Sequence, residues 1–147
     1  MTLTTSQFSN VKTTTIDARG PRFAALMTTL VLVAALATHS VWVMAFQLLV
    51  FAIGALRGPQ FTPYSLIFRK FVRPRLKGEV PAEDIRPPQF AQSVGLIFAL
   101  VATAGLLSHI SVLFTIAAGA ALAAAFLNAA FNYCLGCEVY LILLRLR

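Results

Sequence analysis

Two long blocks of the chain contain no charged side chain, and they restrict the possible folds more than any other feature. The blocks run from Phe23 to Leu56 and from Phe90 to Cys137 in a chain of 147 residues. Apolar windows of this length without charge are typical of membrane-spanning helices. Since 59% of all residues are hydrophobic and 12% are charged, the composition excludes an ordinary soluble domain.

The first block is too long for a single span. Its 34 residues would form a helix of about 50 Å, whereas the hydrocarbon core of a bilayer is about 30 Å thick. The sequence therefore predicts helices near 23–38 and 41–56, with a turn at ATHSVW. The second block divides in the same way at LLSHIS, which predicts helices near 90–107 and 110–131. The predicted fold is an all-α integral membrane protein with four transmembrane helices in two tandem hairpins.

This prediction divides the chain into five segments. They are a mobile cytoplasmic tail at 1–22, hairpin 1 at 23–56, a basic cytoplasmic loop at 57–89, hairpin 2 at 90–131, and a C-x-x-C segment with a short C-terminal helix at 132–147. A secretory signal peptide is an alternative for the first apolar helix, because the A-x-A at 35–37 resembles a cleavage site.

The basic residues predict the orientation of the spans. The hairpin tips hold no base, and the twelve bases fall before, between and after the hairpins: Lys12, Arg19, Arg22, Arg57, Arg69, Lys70, Arg73, Arg75, Lys77, Arg86, Arg145 and Arg147. The positive-inside rule then places both termini and the central loop in the cytoplasm, in a bacterial inner membrane. The pI of about 10.3 reflects this arrangement rather than binding to nucleic acid.

The two hairpins resemble each other in sequence. Pro-x-Phe-Ala begins at Pro21 and again at Pro88, and each hairpin turns at a His–Ser pair. After the second helix of each hairpin comes a turn-prone segment and a short apolar stretch ending in bases, GPQFTPYSLIFRKF and YCLGCEVYLILLRL. In this alignment the C-x-x-C corresponds to the turn at 59–63. We interpret the match as a possible internal duplication.

Small and polar residues predict how the helices pack. Small side chains at every fourth position allow close approach of helices in a membrane. Two such stripes are predicted to form a bundle seam: Ala91, Gly95, Ala99 and Thr103 on the third helix, and Thr115, Gly119 and Ala123 on the fourth. Asn128 and Asn132 share a helical face and are expected to hydrogen-bond between helices.

Four stretches together resemble a bacterial membrane-protein family known as a domain of unknown function, number 4395. They are IDARGPRFAA before the first helix, GPQFTPYS after the second, RPPQFAQSVGLIF at the third, and FNYCLGCEVY near the end. The resemblance covers nearly the whole chain after residue 15. It implies a small integral membrane protein without an established activity. Some members of this family are encoded beside thioredoxin-like or sulfurtransferase genes.

Cys134 and Cys137 are the candidate functional residues, with Glu138 beside them. Residues three apart on a helix share a face, which brings two cysteines close to disulfide range. If a new helix begins at the pair, its N-terminus would favour a thiolate at Cys134, with Cys137 as the resolving thiol and Glu138 as a proton acceptor. Packing and half of a metal site are the alternatives, although a closed zinc site requires four ligands.

No other motif for catalysis was found, and no cofactor is predicted. The sequence contains no phosphate-binding glycine loop, haem signature or nucleotide signature. His39 and His109 at the hairpin tips could share a metal or respond to pH, but a turn histidine is more often an interfacial polar residue.

Two functional hypotheses therefore remain. The first is a membrane-bound partner in thiol–disulfide exchange or sulfur relay with a thioredoxin-like or sulfurtransferase protein. The second is a structural or accessory subunit of a membrane complex, with cysteines that only pack. Both predict contact with the lipid bilayer, leave room for oligomerisation and involve no nucleic acid.

Overall fold

The described part of the chain is almost entirely helical. The structure is a computed structural model that describes residues 15–17, 19–75 and 82–146. The predicted helical class is confirmed, with one addition. Thr15–Asp17 (β1) and Ala82–Asp84 (β2) form a two-stranded antiparallel ladder in which Thr15 pairs with Asp84. The ladder joins the chain segments that lead into the two hairpins.

Six α-helices occur in the described ranges: α1 (Arg19–Thr38), α2 (Val41–Leu56), α3 (Pro63–Ile67), α4 (Arg86–Leu107), α5 (Ser111–Phe131) and α6 (Leu135–Leu146). A 3₁₀ turn, Pro59–Phe61, precedes α3, and a π-helical turn, Phe68–Val72, continues it. The two tips contain His39 and His109, both with left-handed backbone at φ 52° and 61°. The tight turns predicted at ATHSVW and LLSHIS are therefore present.

The four long helices form an antiparallel bundle in which each hairpin packs mainly against the other. α1 lies along α5, α2 lies along α4, and α4 also contacts α5. At one end, Gln89 Nε2 donates to Ala55 O at 2.9 Å. At the other end, the rings of His39 and Phe114 are 5.0 Å apart. The shared core contains Leu32, Ala35, Met44, Phe51, Ala99, Ala102, Phe114, Ala117, Ala118 and Ala121.

The outer surface of the bundle is as apolar as its core. Trp42 is 81% exposed, Ile97 is 61% exposed and Ile116 is 66% exposed. A soluble protein rarely presents so many contiguous large apolar side chains to water. Three helices, α1, α4 and α5, are long and apolar enough to cross a membrane, and α2 is a shorter apolar helix of 16 residues. These features are those of a protein that associates with a lipid bilayer.

The loop predicted between the hairpins contains ordered structure. Thr62 Oγ1 caps α3 by accepting from Ser65 N at 3.3 Å, and Pro63 supplies the fixed φ that suits the first helical turn. Tyr64 then points into the bundle, where its hydroxyl donates to Gln47 Oε1 at 2.7 Å. Burial raises the pKa of the Tyr64 hydroxyl and keeps it neutral as a donor. The segment is therefore partly a packing element rather than only a basic loop.

The predicted boundaries shift at the helix starts. α1 begins at Arg19 and α4 at Arg86, each four residues before its predicted start. The tail predicted at 1–22 is thus wrong for 15–17 and 19–22, which are strand and helix, and residues 1–14 lie outside the described ranges. Hydropathy marks where the apolar stretch begins, whereas a helix can begin earlier because prolines are tolerated in its first turn.

Of the two predicted small-residue stripes, one packs and the other does not. On α4, a Cβ at Gly95 would lie 2.6 Å from the Phe51 ring, and Ala99 is fully buried. On α5, Thr115 and Ala123 are exposed, and a Cβ at Gly119 would meet nothing within 4 Å. The α5 stripe is therefore a wrong prediction. The buried face of α5 is instead Phe114, Ala117, Ala118 and Ala121.

Candidate functional site

The C-x-x-C begins where α5 ends and α6 starts. Asn132 adopts a left-handed conformation (φ 55°), and its N–H bonds to Asn128 O, while Tyr133 N donates to Leu127 O at 3.2 Å. This pair of bonds is a helix-ending motif that reverses the chain direction. Asn suits the position because it tolerates left-handed backbone better than most residues. The turn places Cys134 immediately before the first residue of α6.

Cys134 caps α6 with its sulfur. Cys137 N donates to Cys134 Sγ at 3.1 Å, and Glu138 N donates to Cys134 O at 3.0 Å. The two cysteines are joined by a disulfide with a Cα–Cα distance of 5.2 Å, inside the usual range. The sulfur therefore lies at the positive end of the helix dipole, where a backbone N–H would stabilise a thiolate if the bridge were opened.

α6 is attached to α4 by a close approach of the two backbones. A Cβ at Gly136 would lie 2.6 Å from Ala91 Cβ and 2.7 Å from Ala91 Cα, so only glycine fits. One turn later the rings of Tyr140 and Phe90 meet with centroids 5.4 Å apart. None of the side chains of α6 is fully buried. The N-terminal turn of α6, which includes the cysteines, is thus its firmly held part.

A cavity of about 940 Å³ lies between α1, α4, α5 and α6 and reaches both cysteines. Along α4 it extends from Pro87 to Phe98, which is about 16 Å of helix. Its wall near the middle of the bundle is apolar and contains Phe51, Gly95, Phe98, Ala120, Ala121, Ala124 and Ala125. Pockets of 300 to 1,000 Å³, by order of magnitude, hold drug-sized ligands.

The opposite end of the cavity is polar. Its lining there includes Arg22, Asn128, Asn132 and Glu138 in addition to the disulfide. Arg22 Nε donates to Ala129 O at 3.1 Å, which joins the start of α1 to the end of α5. The cavity therefore has a polar head with a disulfide and an apolar body inside the bundle.

One polar atom in the cavity lining lacks a hydrogen bond. Gln92 lines the cavity, and its Oε1 is buried without a hydrogen-bond partner among the described residues. The amide lies against Gly54, where a Cβ would be 2.8 Å from Oε1. A buried unpaired acceptor costs about 1–3 kcal/mol, and this one lies in the contact between α4 and α2 rather than on the open surface of the cavity.

The segment after hairpin 1 has the same local geometry as the C-x-x-C. Thr62 Oγ1 caps α3 and bonds to Ser65 Oγ at 3.1 Å, as Cys134 Sγ caps α6 and bonds to Cys137. Six residues beyond each cap stands an aromatic ring. Phe68 packs on Phe23 at 5.7 Å between centroids, as Tyr140 packs on Phe90.

The two halves differ in what fills the space beside these segments. In the first half, Tyr64 packs with Ala24 and Val50 and occupies the interior. In the second half, Gly136 stands at the corresponding position after the cap, opposite Ala91. Counting from the two tip histidines, Ala120 and Ala121 correspond to Val50 and Phe51. Small residues thus replace large ones on the side of the cysteines, and the cavity lies there.

The structure brings together the three residues that were predicted to form the site. Cys134, Cys137 and Glu138 all line the cavity, the cysteines half-buried and Glu138 exposed. His39 and His109 lie at the opposite end of the bundle. Within the described ranges no group of three or more His, Cys, Asp or Glu side chains could hold a metal ion.

Sequence reasoning missed Gln92 and Arg22 and did not assign Asn128 and Asn132 to this site. Asn128 and Asn132 were expected to bond between helices, but they line the cavity. Gln92 is an amide at the edge of the uncharged block, three residues after Gln89, and a polar side chain at such a position is a signal of a polar contact between helices. From the sequence, Arg22 was interpreted only as one of the bases that predict the orientation of the spans.

These features define a helical protein of the membrane type, with a cysteine pair placed at one end of a bundle cavity. The chain belongs to the family described as Domain of unknown function (DUF4395), whose model matches residues 16–145. The predicted family is therefore confirmed. No curated protein and no solved structure matched the chain.

Proposed function

We propose that the protein is a membrane-bound thiol–disulfide or sulfur-relay partner that acts through Cys134 and Cys137 at the cytoplasmic face. The observation that carries the proposal is the position of the pair, bridged at the N-terminus of α6 and lining a cavity with Glu138. A pair that served only for packing would not need a sulfur cap, a polar surround and an adjoining cavity.

The proposed chemistry begins from the dithiol. Cys134 is the attacking thiolate, because the Cys137 N–H points at its sulfur and the helix dipole favours negative charge there. Glu138 lies on the same first turn and accepts the proton that Cys134 loses. The Cys134 thiolate attacks a disulfide of a thioredoxin-like protein, or the outer sulfur of a persulfide on a sulfurtransferase. In the first case the partner's other sulfur leaves as a thiolate, and Cys137 then attacks Cys134 Sγ, which forms the Cys134–Cys137 disulfide and releases the partner as a dithiol; both exchanges are reversible. In the second case the sulfurtransferase cysteine leaves as a thiolate and Cys134 carries the persulfide, from which Cys137 expels sulfide as the same disulfide forms.

The proposed topology has four spans with both termini in the cytoplasm. α2 is short, but it runs beside α4 from the tip region, where Met44 is buried in the core, to the Gln89–Ala55 bond at the other end. The bases of the described chain lie at the end of the bundle that also holds the cysteines, as the positive-inside rule requires for a cytoplasmic site. The parallel segments after the hairpins support an internal duplication.

A structural or accessory role is the second candidate, and one observation favours it. The outward side chains of α6, among them Leu143 at 50% and Leu146 at 79% exposure, form an uncovered apolar surface. A partner subunit could cover it, although the membrane interface would serve equally. In that role the cysteines would be dispensable.

Trapping of a mixed disulfide tests the proposal. A Cys137→Ser variant cannot resolve the intermediate, so it should retain a thioredoxin-like or sulfurtransferase protein through Cys134 on nonreducing gels. Cys134→Ser is the matched control and should trap much less. Mass spectrometry of the cysteine peptide would distinguish a disulfide from an added sulfur atom. If neither variant traps a partner and both thiols react only after denaturation, the accessory role is correct.

A further inference from the structure

The distribution of polar and apolar residues in the cavity indicates which class of ligand would fit it. The polar end holds the cysteine pair with Asn128 and Arg22, the apolar end lies further into the bundle, and the whole cavity runs about 16 Å along α4. A soluble disulfide protein can reach only the polar end. The apolar depth fits a small amphiphile, with a polar ring at the cysteines and a hydrocarbon chain among the alanines.

The chemistry of the cysteine pair narrows the ligand further. Conversion of a dithiol to a disulfide releases two electrons and two protons, so a co-reactant must take up both. We propose that the cavity binds a membrane quinone, whose ring lies beside Cys134 and Cys137 and oxidises their dithiol. The inference rests on the proposed thiol function, taken in the direction in which the Cys134–Cys137 disulfide accepts electrons: a dithiol of the partner protein reduces the disulfide, and the quinone then reoxidises the cysteine pair.

The step balances in atoms and electrons. The two S–H bonds of the dithiol break and one S–S bond forms, while both quinone carbonyl oxygens become hydroxyls. Each oxygen receives one electron and one proton, so dithiol and quinone give disulfide and quinol. Glu138 lies in the lining and can carry a proton between sulfur and oxygen. The disulfide that results is the bridged form seen in the structure.

The first half of the molecule shows what a packed version of the same region looks like. There Tyr64 fills the interior, its hydroxyl bonded to Gln47, and Val50 is 1% exposed. The second half has Ala120 and Ala121 where the first half has Val50 and Phe51, so its interior has room for a ring, although Gly136 itself is closed off by Ala91. The cavity reaches from the cysteines to Pro59 and Ser65 of the first half, so the ring would lie at the end that holds the cysteines.

The experiment uses the full-length reduced protein in detergent without oxygen. The probe is a fully substituted benzoquinone with a decyl tail, since thiols cannot add to its ring. Quinone loss is followed by ultraviolet absorbance, and the remaining thiols are counted. The wild type should form one quinol per cysteine pair and lose both thiols. The double variant Cys134→Ser/Cys137→Ser should form none.

A blocking variant tests the cavity itself. Ala124→Phe inserts a ring into the lining and should slow quinol formation about tenfold, because overfilled sites force their neighbours apart. Ala123→Phe is the matched control on the exposed side of α5 and should react like the wild type.

Each remaining outcome overturns the inference. If the wild type does not reduce the quinone, or if Ala124→Phe reduces it as fast as wild type, the cavity is not a quinone site. If a decyl chain without the quinone ring competes equally well, the cavity holds an acyl chain only. Mixed-disulfide trapping by Cys137→Ser is measured in parallel. Trapping without quinone reduction leaves the proposed thiol function standing and removes this inference alone.

Discussion

The segments that follow the two hairpins begin their helices with the same kind of side-chain cap, but they differ in how the space beside them is packed. Thr62 caps α3 and its hydroxyl bonds to that of Ser65, while Cys134 caps α6 and is bridged to Cys137. Beside the first pair, a tyrosine is buried. Beside the second pair, a glycine allows α6 to contact α4 closely, and a cavity adjoins the cysteines. A common scaffold thus gives a packed half and a half suited to binding, and the change lies in a few side chains.

The largest expected effect comes from emptying the packed half. Tyr64→Ala removes a ring that is 5% exposed and leaves Gln47 without its partner, so we expect a loss of about 3–5 kcal/mol. Unfolding in detergent, followed by circular dichroism, measures it. Tyr64→Phe keeps the ring and should lose only about 1 kcal/mol. Equal losses for the two variants would show that the hydrogen bond, not the packing, is what matters.

The next effect comes from filling the open half at its narrowest contact. Gly136→Ala places a Cβ 2.6 Å from Ala91 Cβ and should cost about 1–3 kcal/mol by pushing α6 from α4. Thermal unfolding and faster labelling of the reduced cysteines would report it. The double variant Gly136→Ala/Ala91→Gly removes the nearer of the two clashing atoms and should recover part of the loss, because Ala91 Cα remains 2.7 Å from the new Cβ. Without any recovery, the contact between the two helices is not the cause.

A smaller effect tests whether the two caps are equivalent. Thr62→Ala removes an N-cap and should destabilise the protein by about 1 kcal/mol. Exchanging the pair for the other one, as Thr62→Cys/Ser65→Cys, should allow a second disulfide, seen as a mass difference after reduction. If this bridge does not form under oxidising conditions, the two segments differ in backbone geometry.

The smallest effect is expected on the outer side of α5. A Cβ at Gly119 would meet nothing within 4 Å, so we expect Gly119→Leu to change stability by about 0.5 kcal/mol or less. Gly95→Leu on α4 enters the Phe51 ring and should cost about 1–3 kcal/mol. Melting temperatures in the same detergent compare the two. If the glycines prove equally sensitive, α5 has a second contact surface that the monomer does not show.

The helices could be predicted from the sequence because charge and hydropathy act locally. The uncharged blocks located α1, α2, α4 and α5, and the His–Ser pairs located both tips. The proximity of Cys134, Cys137 and Glu138 could be predicted because they lie within one helical turn of the chain, and their role as a site stays a prediction. The cavity could not be predicted, because it depends on how α6 packs against Ala91 of α4, which is distant from α6 in the sequence.

The failed α5 stripe has a similar cause. Alanine is frequent along α5, so Ala117, Ala118 and Ala121 permit close approach as well as Gly119 does. A pattern of small residues indicates which faces of a helix can pack closely, but the large side chains of the helix and its neighbours determine which of these faces is buried. Here Phe114 faces inward at the tip and fixes the rotation of the helix. The burial of Gln92 could not be predicted for a related reason, since its side chain packs against Gly54 of another helix.

The pairing of α1 with α5 and of α2 with α4 has a consequence for biosynthesis. When the ribosome has completed hairpin 1, its main partners have not been translated, so Phe51 has no α4 to pack against. Hairpin 1 therefore lacks most of its packing contacts at this stage, and the bundle can form only after α4 and α5 have been synthesised. We expect that a chain cut between residues 76 and 81 would assemble from two co-expressed fragments, while either fragment alone would be degraded. Pulse-chase labelling of the fragments would measure this dependence.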